Sequence, residues 1–213
     1  MTTIFQTSTG PRGAVAALLA LMLGAVGCSD VAGPEGVARV QVHLTDAPAD
    51  YLEVAEVCVS QIYLQGGDDE EENEDEGGRT ILWDKDPDAQ CFDLLELQGV
   101  SASLTDGGVE VPAGTYGQLR FIVESARVVL AEGYTFSDGE STEMDLIVPS
   151  GAQTGIKVLL LDPIFAEAGT LTEVTVDADV EQNFHILGNP ESPAGIQGVL
   201  FTPVLVEIPE LEP

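Results

Sequence analysis

Carboxylates are the most abundant chemical groups of this sequence: 37 of 213 residues are Asp or Glu, against seven Lys or Arg and two His. Residues 68–76, DDEEENEDE, place eight carboxylates in nine positions between Gly66-Gly67 and Gly77-Gly78. A calcium loop of the EF-hand kind needs oxygens at fixed alternating positions, a central Gly and a closing Glu. That order is missing here, so the run reads as a mobile, hydrated loop with diffuse cation affinity. A second acidic stretch, VTVDADVE, sends Val174, Val176, Ala178 and Val180 one way and Thr175, Asp177, Asp179 and Glu181 the other. Same-face neighbours on a strand lie about 6.5 to 7 Å apart. Close chelation there needs a bend or a donor from another loop. Asp46 of the LTDAP turn is the donor we nominate, making Asp46, Asp177 and Asp179 the candidate calcium ligands. The competing role of Asp46 is to cap its own turn.

Nucleophilic and hydrolytic chemistry has little to work with. His43 and His185 are the two histidines, and no GxSxG, HExxH or paired CxxC pattern occurs. His43 alternates outward on its segment and could meet Asp46 across the turn, although an exposed strand histidine is the ordinary reading. His185 lies between Phe184 and Ile186 and reads the same way. Ser150 has no local base. A glycosidase that uses carboxylates alone needs only two acids close in space, so the composition leaves that class open. Nucleic acid is not an expected partner, because a formal charge of -30 offers no basic surface to displace counterions.

Cys58 and Cys91 lie in two apolar segments on either side of the acidic run. In an oxidising compartment they are expected to bridge, and closing a loop of 34 residues, both cysteines included, would contribute roughly 3 to 4 kcal/mol. Two buried free thiols are the alternative. Neither has a neighbouring basic group that would make it a catalytic thiolate.

The compartment is read from residues 1–27. One charged residue, Arg12, precedes the apolar run AVAALLALML, which gives way to GAVGC. This is the layout of a cleaved signal peptide helix, and its ten apolar residues fall short of the roughly 20 that span a bilayer. Ala25-Val26-Gly27-Cys28 resembles the lipobox of bacterial lipoproteins. The resemblance implies lipidation of Cys28 and anchoring in the membrane, and Ser29 after the cysteine favours the outer membrane. Removing residues 1–27 with Arg12 takes the formal charge from -30 to -31. Residues 28–36 then form a tether.

From residue 37 onward, apolar and polar residues alternate in short runs, as in Val40, Val42 and Leu44 against Arg39, Gln41 and His43. Comparable runs are expected as strands at 56–64, 80–83, 91–97, 119–131, 144–148, 155–161, 171–180, 183–187 and 199–208. Residues 119–131 are too rich in branched side chains for a helix, and Pro203 inside the last run points to an edge or a bulge. The fold class expected is all-β, an antiparallel β-sandwich over 37–208, with an acidic loop at 66–78 and a tail at 209–213. In VPAGTY, Pro112 should stop a ladder, Gly114 should turn with positive φ, and Tyr116 should re-enter the core.

HLTDAPAD, VPAGTYGQLRFIVESARVVL, VPSGAQTGIKVLL, VTVDADVEQN and FTPVLVEI, in that order, resemble the bacterial and archaeal family called domain of unknown function 4382. The resemblance implies a secreted or lipid-anchored sandwich related to transthyretin-like and immunoglobulin-like folds, with no established activity. The expected role is a non-catalytic binding or structural module of the cell envelope. No cofactor is expected, calcium at the three aspartates being at most a stabilising ligand, and the expected partner is the membrane through Cys28. The alternative is an envelope carbohydrate-active hydrolase using carboxylates only.

Overall fold

The computed structural model describes residues 36–46, 49–66, 78–149, 154–192 and 194–209. The expected signal peptide, Cys28, nearly all of the tether, residues 67–77 of the acidic run, Ser150 and residues 210–213 lie outside them. The described residues form strands β1 Val37–Thr45, β2 Leu52–Gly66, β3 Arg79–Asp84, β4 Gln90–Asp93, β5 Ala102–Ser103, β6 Val109–Pro112 and β7 Gly114–Leu130. They continue as β8 Glu143–Leu146, β9 Ile156–Leu159, β10 Ile164–Ala166, β11 Leu171–Asp177, a helical turn α1 Val180–Asn183, β12 Phe184–Asn189, β13 Gly195–Phe201 and β14 Leu205–Ile208. The fold is all-β, as the alternation implies.

One curled sheet runs β3-β2-β7-β9-β14-β11-β1-β5, with β4 on β2, β8 and β10 on β7, and β6 on β1. The curl hinges on β9. Arg120 and Phe121 of β7 pair with its Lys157 and Ile156, while Leu205 and Val206 of β14 pair with its Val158 and Leu159. The β2-β7 layer therefore faces the β14-β11-β1 layer, and β12 and β13 form a separate hairpin. Most ladders are antiparallel; β1 with β11 and β14 with β9 are parallel. A short period-2 pattern states which face is buried, not which neighbour runs alongside.

Period 2 sets the core. Ala38, Val40, Val42 and Leu44 of β1 are all buried and share one core with Val57, Val59, Leu119, Phe121 and Val123 of the β2-β7 layer. Each Val, Leu or Phe among them contributes about 1.5 to 3 kcal/mol of burial. The 119–131 run is one strand, β7, bent by irregular pairing with β2 around Cys58 to Gln61. Two expected strands end early. Asp93 accepts a hydrogen bond from Leu95 N–H at 3.2 Å and starts a 3-10 turn at Leu94–Leu97, and β11 stops at Asp177 ahead of α1. Pro203 neither bulges nor edges a strand but separates β13 from β14. Gly114 does not take the left-handed conformation expected of it: it opens β7, opposite Ala166. Pro112 does end β6, and buried Tyr116 donates its hydroxyl to Pro112 O at 2.8 Å.

Candidate functional site

The three nominated aspartates meet at one corner. Because β1 runs parallel to β11, Thr45 lies opposite Asp177, and Ala178 N–H donates to Thr45 O at 3.0 Å. Asp46, the next residue, is buried, and its Oδ1 accepts from Val180 N–H at 2.8 Å. Asp179 caps the same turn, accepting from Gln182 N–H at 3.1 Å and from Gln182 Nε2 at 2.6 Å. Asp46 thus caps a turn 134 residues away, while residues 47 and 48 of its own turn lie outside the described residues. Burial, and after it the charge of Asp179, push the Asp177 carboxyl above its ordinary value. The corner is a brace in which acids hold backbone donors.

These carboxylates do not close into a chelating set. Among the described residues, the three-ligand group whose candidate atoms all lie within 4.8 Å of one another is Glu56, Cys58 and Cys91. Both sulfurs of that group are already engaged. Cys58 of β2 and Cys91 of β4 are directly opposite, with Cα atoms 3.9 Å apart, and form a disulfide, as their placement on two strand-like segments implied. The bridge fastens β4 to the outer side of the β2-β7 layer, beside Glu56, which takes Arg127 Nε at 3.4 Å.

His43 does not turn towards Asp46. Its Nε2 lies 3.3 Å from Glu173 Oε1 on the outer face of β1 and β11. That pair sits in an open groove of about 340 Å³ with Thr45, Val100, Ser101 and Thr175. His185 is exposed at a second open depression of about 370 Å³, with Tyr51, Glu181 and Phe184. Between the layers the space is nearly filled: a void of about 20 Å³ lined by Leu44, Phe121, Val123 and Leu205 holds about one water-sized probe.

One polar residue central to the architecture was invisible in the sequence. Asn183 is 1 % exposed; its backbone oxygen accepts from Thr202 N–H at 2.9 Å and its Oδ1 from Val204 N–H at 2.5 Å. It holds the chain on both sides of Pro203. A single Asn after a polar run carries no periodic mark that would reveal this.

A family model described as "Domain of unknown function (DUF4382)" matches residues 37–202. Comparisons with curated proteins and with solved structures return no match.

Proposed function

We propose, from the premise that the chain belongs to the domain of unknown function 4382 family, that it is a lipid-anchored module of the cell envelope with a non-catalytic binding or structural role. The observation that carries this reading is the filled interior. Side chains from both layers form one core whose void at Leu44, Phe121 and Leu205 is only about 20 Å³, while the larger depressions are open, so recognition is assigned to the outer faces and strand ends. The anchor follows from Cys28 at the end of an apolar run and from Ser29 after it, which favours the outer membrane. Two acyl chains already suffice for stable anchoring. The transthyretin-like relationship belongs to the same proposal.

The cation part of the proposal narrows to Asp177 and Asp179. Asp46 offers an oxygen to Val180 N–H, whereas the repulsion between Asp177 and Asp179 is what a calcium ion would relieve. Detergent-phase partition tests the anchor: the full chain enters the detergent phase, and Cys28→Ala moves it to the aqueous phase. A Cys28→Ala variant still found in detergent would remove the anchor from the proposal.

A further inference from the structure

The few cations of this acidic chain are gathered. Five of the six described basic residues, Arg79, Lys85, Arg120, Arg127 and Lys157, lie on or beside the β3-β2-β7-β9 layer. Arg127 is paired with Glu56 and Glu143 at 3.4 Å each. Among the described residues, Arg79, Arg120 and Lys157 have no carboxylate within 4 Å. Register places them together. Tyr63 of β2 is opposite Arg120 of β7, and Arg120 is opposite Lys157 of β9. The Arg79 guanidinium lies 4.7 Å from the centre of the Tyr63 ring. Directly opposed side chains share a face with Cβ atoms about 5 Å apart, and like charges so placed repel. Arg120 is held in position by Gln118 Oε1 at 2.9 Å and Thr154 O at 2.7 Å, so it does not swing away from Lys157. In the next row Gln65 pairs with both Arg79 and Gln118, adding two amides between the cations.

We propose that this outer face, Arg79, Gln65, Gln118, Arg120 and Lys157, binds an acidic glycan carrying one carboxylate per sugar ring. An anion at the row relieves the repulsion between Arg120 and Lys157, and guanidinium groups hold carboxylates through paired hydrogen bonds. A densely charged polymer meets the field of a molecule at -30 and is repelled before contact. Charges spaced by hydroxyl-bearing rings avoid much of that field and present hydroxyls to Gln65 and Gln118. From β3 to β9 the face spans three strand spacings, about 14 Å, enough for an extended oligomer. The inference rests on the reading of this chain as an envelope binding module and names its ligand class.

The test uses the detergent-solubilised full chain. Calorimetric titration with a hexauronate is expected to show binding that weakens about tenfold or more in Arg120→Gln/Lys157→Gln. Arg39→Gln, on the other layer, leaves it unchanged. Unaltered circular dichroism establishes that the double variant is folded. The proposal is overturned by no binding, by equal binding to the double variant, or by equal binding of a neutral hexasaccharide or of hexaglutamate. Membrane partition is measured separately, so this failure would leave the anchor standing.

Discussion

Asp46 shows how one side chain ties distant segments together. Its buried Oδ1 supplies the acceptor for Val180 N–H, and no neighbouring residue in sequence could predict that partner. Asp46→Ala leaves that donor in a buried corner and is expected to cost about 1 to 3 kcal/mol in urea unfolding, while Asp46→Asn, which keeps an acceptor, costs less. Equal losses for Ala and Asn would assign the role to charge instead. Asp177 behaves in the opposite sense. Its carboxyl binds a proton more tightly in the folded chain than in the unfolded one, through burial first and Asp179 second. The stability it contributes is complete below the ordinary carboxylate value of 3.8 and is lost as pH rises through the raised folded value. Asp177→Asn therefore raises Tm at neutral pH, and the gain fades in acid. If calcium binds here, it raises the wild-type Tm beyond matched sodium chloride and leaves the Asn variant at the sodium chloride value. A variant less stable than wild type at pH 7 would contradict the strain argument.

Among the elements, β4 depends most on a covalent tie. It has four residues, and its exposed Cys91 is joined to Cys58 of β2 across a sequence separation of 33. Replacing both cysteines by Ala is expected to lower stability by roughly 3 to 4 kcal/mol in the chain-entropy account. Amide exchange should then report the β2-β4 ladder opening before the β2-β7 ladder. Unchanged exchange at Phe92 would show that packing against Trp83, 6.3 Å between ring centres, holds β4 without the bridge. The acidic run is the converse case. The β2-β3 ladder closes at Gln65 and Arg79, before residues 67–77 begin.

For the molecule as a whole, charge is the dominant external variable. Deleting Asp68–Glu76 takes the formal charge from -30 to -22 and leaves glycines to join β2 to β3. Stability should change by less than about 1 to 2 kcal/mol, and the rise of Tm with sodium chloride should become shallower. A larger loss would mean that these acids are tied to the folded domain.

The sequence by itself determined the class of fold, the buried faces of β1 and β11 and the cysteine pair, while the short strands β5, β6 and β10 left no mark in it. Alternation in β1 and β11 and the flanking of the acidic run by two apolar segments are local facts, and burial follows local period closely. The family resemblance was likewise legible, because it is carried by several runs in order. Only tertiary structure decided that β1 lies parallel to β11, that Asp46 braces Val180, that His43 faces Glu173, and that Asn183 spans Pro203. It also placed Arg79, Arg120 and Lys157 along one stretch of sheet, β3-β2-β7-β9. Each of these depends on register between segments tens of residues apart. A one-residue slip reverses every contact on a strand, and no pattern inside a single strand encodes its partner.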